Sequence, residues 1–387
     1  MTVAGIIAEF NPLHNGHKYL IECAKKDGCC VACVISGNFV QRGDTAIIPK
    51  FSRAQAALES GADIVLELPV PWSMSTAQNF ALGGVSQLSA LNVETLYFGS
   101  ESGDIEELTK VSQILLDEHF NDVISTRLSS GETYARLRKE VVCELLGRQT
   151  SVLDNPNDTL DIEYIIADKK LGLNINFKAV KRVGASHNSS VQCDGFSTST
   201  LIRQAFYNND TKYLKSYMPD SSAKILLSSP ISELSRLDTA IVSRLKQLTY
   251  DEISAFPDIS EGLGNLLYKK IRSSYSYSDL CNNLKSKRYT LARIRRLILS
   301  AYLGIDNRYF LKTPEYVRIL GFSSVGADCI PKISTKPIIT RVSQIKNLDE
   351  NSRNLFNLEN TINEIYALSL NDPSKFINDL EHKLILK

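Results

Sequence analysis

Along the first hundred residues, short apolar runs alternate with segments whose apolar positions recur at helical spacing. Val3 to Ala8 predicts a strand, His17 to Lys25 a helix and Val31 to Ser36 a second strand. "SRAQAALES", Ser52 to Ser60, reads as a helix ended by Gly61, and "ADIVLELP" as a strand stopped by Pro69. A helix from Gln78 to Ala90 then leads into "TLYFGSE", a strand closing in a glycine turn. Such alternation marks an α/β fold with a parallel sheet.

The pattern loosens further on. Residues 104–150 read as a mostly helical insert within the first domain, "NINFKAVKRVG" as a strand with basic residues near its end, and "STSTLIRQAF" as a helix start with hydroxyl residues in front. A boundary is expected near residue 210, giving a domain over 1–210 and a mainly helical portion over 211–387. In the latter, Leu234, Leu237, Ile241, Leu245 and Leu248 form one apolar stripe, and Leu263, Leu266, Leu267 and Ile271 another. "PEYVRILGF" and "KPIITRV" return to strand-like runs, and residues 351–387 to helix.

Composition adds limits. With 43% hydrophobic residues the chain can bury a core, and 44 basic against 43 acidic residues give no overall bias toward a polyanion, so such a partner would need a local basic surface. No apolar run is long enough for a membrane helix, and no secretory leader is evident, which predicts a cytoplasmic protein without membrane association. Among eight cysteines, Cys29, Cys30 and Cys33 lie close together, but Val31, Ala32, Val34 and Ile35 around them read as a buried strand, so structural thiols are expected rather than a metal site.

Two of only five histidines fall in "GIIAEFNPLHNGHKYLIECAKK", where a strand meets a helix. His14 and His17 there would point into the crevice at the strand end, where free helix N–H groups favour anions, and Gly16 would let the backbone approach a phosphate. Imidazoles so placed can donate to an α-phosphate and stabilise charge as pyrophosphate leaves. The alternative is a pair of capping or surface histidines.

His-x-Gly-His at this point resembles the signature of the nucleotidyltransferase α/β-phosphodiesterase superfamily. "STSTLIR" is similar to that superfamily's second motif through Ser199, Thr200 and Arg203, with Thr198 where a serine would stand. Together with "GNFVQRGDTAI", "KFSRAQAALESGADIVLELP", "FGSE", "KRYTLARIRRLIL" and "YVRILGF", the chain looks like the tRNA(Met) cytidine acetate ligases over most of its length. The resemblance implies a Rossmann-like catalytic domain that joins ATP and acetate into acetyl-adenylate. The acetyl group then passes to N4 of the wobble cytidine of elongator tRNA(Met). No side-chain nucleophile is needed, in keeping with the lack of a Gly-x-Ser-x-Gly elbow.

The resemblance also implies site residues. Its nucleotide stretch falls on Ile7, Ala8, Glu9, Phe10, Asn11, Pro12, Leu13, His14, Asn15, Gly16, His17, Lys18, Tyr19 and Leu20, joined by Gly99, Asn157, Arg182 and Val183; the family's Pro-Asn-Asn is Pro-Asn-Asp here, with Asp158 last. His14, His17 and Arg203 are the catalytic candidates, and Ser199 and Thr200 the phosphate ligands. Asn38, Gln41, Arg42 and Asp44, in a loop after the second strand, are candidates for acetate or a phosphate. Lys285, Lys287, Arg288, Arg293, Arg295 and Arg296 are candidates for tRNA, with Tyr289 able to stack on a base. Lys178, Lys181 and Arg182 would add a second basic edge. Mg²⁺ is expected with ATP, although no carboxylate cluster names its ligands, and no protein partner is evident. A small-molecule adenylyl- or cytidylyltransferase and a non-catalytic nucleotide-dependent RNA-binding protein remain as alternatives.

Overall fold

A computed structural model describes residues 1–128, 134–182, 195–286, 288–331 and 334–387. Its centre is an eight-stranded sheet. Strands β1 (Val3–Ala8), β2 (Cys30–Ser36) and β3 (Ile64–Leu68) alternate with helices α1 (Asn15–Lys26) and α2 (Lys50–Glu59). Helix α3 (Ala77–Ser89) then carries the chain to β4 (Thr95–Ser100), and α4 (Pro156–Leu171) to β5 (Asn176–Lys181). These five strands run parallel in the order β3-β2-β1-β4-β5. Every residue of β2 and β3 is buried, because helices cover both faces, and the strands therefore read as continuous apolar runs without alternation.

One face packs Val34, Leu66, Leu96 and Phe98 against Phe80, Val85 and Leu88 of α3 and Ile162 and Ile165 of α4. On the other, Ile6, Val31, Cys33 and Ile35 meet Ile21 of α1 and Ala54 and Leu58 of α2. The described residues of the 104–150 insert form helices Ile105–Leu116, Glu118–Leu128 and Tyr134–Leu146, and Leu108, Val111, Val141 and Val142 join the first of these cores. Cys29, Cys30 and Cys33 are buried thiols in or beside β2.

The C-terminal portion does not stand apart from this sheet, so the division at residue 210 needs correcting. "VRILGF" forms β6 (Val317–Phe322), which lies antiparallel on the open edge of β3. It pairs in turn with Ile338–Ile339 and with Ile385–Leu386. An apolar run that caps an exposed edge gains ladder hydrogen bonds that a helix could not supply there. The expected C-terminal helix stops accordingly: it covers Glu350–Ala367, and the segment after it leads back to the sheet.

The described residues between Asp238 and Leu303 are mostly helical and have their own core, in which Ile241, Leu245, Leu267, Ile271, Leu297 and Ile298 are fully or almost fully buried. Phe39, Val70 and Met74 from the sheet portion enter this core. A buried ion network ties the ends together. Lys50 Nζ lies 2.6 Å from both Glu67 and Asp379, Arg318 lies 2.6 Å from Asp379, and Asn363 donates to Asp379 at 2.7 Å.

Candidate active site

Strand β1 is followed by α1 on one side of the sheet and β4 lies on the other, so the order of connections reverses between β1 and β4. At such a switch point the carboxyl ends of neighbouring strands part and leave a crevice. A cleft of about 320 Å³ opens there, lined by Ile7 and Ala8 at the end of β1 and Phe98 and Gly99 in β4.

The turn into α1 builds one wall. His14 is the N-cap of α1, with Nδ1 accepting from Gly16 N–H at 3.1 Å, while His17 Nδ1 accepts from the N–H of His14 at 3.3 Å. Two histidines thus take the places that Ser and Glu usually hold in a capping box. The capping and ligand readings are compatible, because capping occupies only Nδ1. A neutral imidazole that accepts at Nδ1 carries its proton on Nε2, so each ring keeps one donor. Burial and then the neighbouring Arg182 lower His14 to about 3; burial, His14 and Arg182 hold His17 well below its ordinary value. Phe10, buried and at φ 47°, sets its ring edge-on to His17 at 5.0 Å.

Helix α5 (Ser199–Tyr207) builds the facing wall, with Thr198 as its N-cap. The two motifs meet directly: Arg203 donates to the carbonyl of Asn11 at 2.6 Å, and Ser199 Oγ lies 3.5 Å from that of Pro12. His14, Gly16, His17, Tyr19, Leu20, Glu9, Phe10, Ser199, Thr200 and Arg203 all line the cleft. Asn11, Pro12, Leu13, Asn15 and Lys18 do not. Asn11 accepts from Ile47 N–H, Leu13 is in the core, Asn15 donates to the carbonyls of Gly195 and Ser216, and Lys18 turns to Glu22.

A hairpin of Phe39–Val40 and Asp44–Thr45 forms the rim. Gln41 and Arg42 line the cleft, and Gln41 N–H donates to Glu9 at 2.8 Å. Asn38 lies elsewhere: it is fully buried, with its amide donating to Asn363 and accepting from Lys50 N–H. Both ends of the amide are thus spent inside the fold. Asp44 accepts from Thr45 N–H in its own hairpin and is outside the lining. Burial raises its carboxyl, an effect opposed by Arg295 and Arg203.

Sequence reasoning missed Arg53. Its fully buried guanidinium donates to the carbonyls of Glu9, Ser36, Gly37 and Ile48, which fixes the ends of β1 and β2 together. An arginine between Ser52 and Ala54 on a helix gives no sequence sign of burial, since arginine is mostly exposed unless partnered.

The far wall is α4. Glu101 receives Asn157 through its side chain and Asp158 through its N–H, capping the helix. Asn157 borders the cleft. Asp158, fully buried, accepts from Ser100, Ser102 N–H and Asn155, so the departure from Pro-Asn-Asn serves the turn after β4. Asp161 and Tyr164, also missed, continue this wall. Gly99 faces Arg182, whose Cγ would lie 3.6 Å from a Cβ there. Val183 and Lys287 lie outside the described residues. Lys181 borders the cleft, whereas Lys178 is spent on Asp27 at 2.6 Å.

The basic helix, α6 (Leu291–Leu303), is less open than its sequence implies. Arg293 binds Glu261 at 2.7 Å and the carbonyls of Asp258 and Ser260, and Arg296 binds Asp258 at 2.8 Å. Tyr289 is buried with its hydroxyl on the carbonyl of Glu261, so it cannot stack on a base. Arg295 lies against the rim hairpin, where a Cβ on Gly43 would come 2.6 Å from its own Cβ. Lys285 and Arg288 are exposed. Among the described residues no three His, Cys, Asp or Glu side chains gather to hold a metal ion. No helix is long and apolar enough to cross a membrane, among the same residues.

Residues 1–379 match the family described as HIGH Nucleotidyl Transferase. The tRNA(Met) cytidine acetate ligase of Thermoanaerobacter sp. (strain X514) is 36% identical over 100% of both chains, and that of Caldanaerobacter subterraneus subsp. tengcongensis is 37% identical over the same share. The apo crystal structure of Thermotoga maritima TmcAL superposes with a TM-score of 0.92 at 30% identity, covering 100% of this chain and 99% of that one. A second TmcAL crystal structure, bound with alpha-thio ATP, gives 0.90 at 29% identity with the same coverage. With both histidines and Arg203 around one cleft and this likeness running end to end, the chain belongs to the HIGH nucleotidyl transferases, within the family of tRNA(Met) cytidine acetate ligases.

Proposed function

We propose that the protein consumes ATP and acetate to make acetyl-adenylate and pyrophosphate, then transfers the acetyl group to N4 of the wobble cytidine of elongator tRNA(Met). The observation that carries this reading is the meeting of the His14–His17 turn with Arg203 at the switch-point cleft. An acetate oxygen attacks the α-phosphorus, the bond to the pyrophosphate oxygen breaks, and charge grows on the phosphate oxygens. The Nε2–H groups of His14 and His17, Ser199, Thr200 and Arg203 are the donors around that charge. They are neutral or cationic and already held by the backbone, so little reorganisation is needed. Gln41 and Arg42 on the rim are candidates for the acetate carboxylate.

In the second step the cytidine amino nitrogen attacks the acetyl carbon, AMP leaves, and the nitrogen loses a proton. Mg²⁺, arriving with ATP, would be carried mainly by phosphate oxygens and water. Lys285 and Arg288 support a tRNA surface on the helical portion, and a tRNA substrate is in keeping with a cytoplasmic protein. Incubation with ATP, labelled acetate and tRNA(Met) tests the reading. Acetate-dependent pyrophosphate exchange and label at N4 of the wobble cytidine are expected; folded protein showing neither would overturn it.

A further inference from the structure

Asp161 stands out among the residues of the cleft. It is 2% exposed, its Oδ2 has no hydrogen-bond partner, and it lines the cavity one turn beyond Asn157 on the same face of α4. Its neighbour Asp158 has three partners and Glu101 holds the helix start, so these two carboxylates are accounted for structurally. Asp161 is not. A buried acceptor left unpaired is costly, and such groups call for an explanation.

The surroundings say what would pair with it. Leu160 and Tyr164 lie on the same face of α4, the Phe98 ring lies 6.2 Å from that of Tyr164, and Arg182 is the cation acting on the carboxyl, while His17, Ser199 and Arg203 also line the cleft. An acidic group close to aromatic side chains repels phosphate and suits a flat ring bearing an N–H donor. We infer that Asp161 reads the adenine of the bound nucleotide by accepting a hydrogen bond from its 6-amino group. This rests on the cleft being the ATP site. Burial and the nearby Asp158 and Glu101 raise the Asp161 carboxyl well above its ordinary value, with Arg182 opposing, and an N–H donor on the base would satisfy the acceptor that burial leaves bare. The deep position favours the base of a small nucleotide over the cytosine of a bulky tRNA.

The test compares ATP with purine riboside triphosphate, which lacks the amino group, in acetate-dependent pyrophosphate exchange. The wild type should prefer ATP by about tenfold or more in kcat/KM. Asp161→Leu should abolish that preference, and Asp161→Asn, whose amide oxygen still accepts, should retain most of it. A ratio of two nucleotides does not depend on how much protein is folded. If Asp161→Leu lowers both substrates equally and leaves the ratio intact, the residue is structural and the inference fails. If exchange and its ratio are unchanged but transfer to tRNA is lost, the contact belongs to the acceptor cytosine and the inference also fails. Failure of wild-type exchange would instead remove the ATP reading itself.

Discussion

His14 and His17 stack with ring centroids 3.7 Å apart and planes 22° from parallel, each giving Nδ1 to a main-chain N–H. The geometry makes two neutral donors of groups that titrate near neutrality in water. His14→Asn should keep the cap, because Asn is a good N-cap, yet lose the Nε2 donor. Adenylate formation should fall by about 10²-fold or more while the fold persists.

The same pair predicts how stability responds to acid. With the His14 value lowered to about 3 in the folded protein, the unfolded chain binds more protons below its ordinary value of 6.5. Stability is therefore fully present above 6.5 and is lost as pH falls toward 3, by up to about 1.4 kcal/mol per pH unit from this residue. Urea midpoints measured across that range should fall more steeply for the wild type than for His14→Asn. Parallel curves would refute the linkage.

Gly16 tests the turn from another side. A Cβ there would stand 3.1 Å from His14 Cε1 and 3.2 Å from Nδ1, so Gly16→Ala must shift the ring by a few tenths of an ångström and disturb its donor geometry. Alanine raises helix propensity at the same time. The expected outcome is a split: kcat lowered about tenfold or more, with the thermal midpoint unchanged or slightly raised. Equal losses of both would point to a folding defect instead.

The path from sequence to structure was clearest where local patterning and tertiary use agree. The runs VAGIIA and CVACVIS are buried strands, and the helix through Ser199 starts at a hydroxyl cap as its sequence suggests. Asn38 and Arg293 were misleading for one reason: polar side chains near a predicted crevice or on a predicted surface can be consumed by partners distant in sequence, Asn363 and Glu261 here. Arg53 and Asp161 were invisible for the converse reason, since burial of a charged residue depends on what folds over it. The strand Ile385–Leu386 likewise owes its state to the edge it finds, not to its own pattern.

Gly43 joins the rim to the helical portion. It has φ 71°, and a Cβ would lie 2.7 Å from the N of Arg296 as well as against Arg295. Gly43→Ala should therefore destabilise by about 1–3 kcal/mol through overcrowding and backbone strain. Because Gln41 and Arg42 sit in the same turn, the KM for acetate or ATP should rise in protein that remains folded. An unchanged KM would separate the hairpin from substrate binding.

The exposed and engaged cations near α6 should behave differently, and this distinguishes a tRNA surface from a structural clamp. Lys285 and Arg288 are exposed, whereas Arg293 and Arg296 close the loop at Asp258 to Glu261. Replacing Lys285 and Arg288 together by alanine should leave acetate-dependent pyrophosphate exchange intact and weaken tRNA binding. If both contact phosphates, the slope of log affinity against log salt should flatten by about 2. Arg293→Ala should instead lower stability by about 0.5–1.5 kcal/mol, because Glu261 and the carbonyls of Asp258 and Ser260 lose their donor. Filter binding across a salt series and urea unfolding measure the two effects separately. Should the double variant bind tRNA with an unaltered slope, the surface that receives the anticodon lies elsewhere on the molecule.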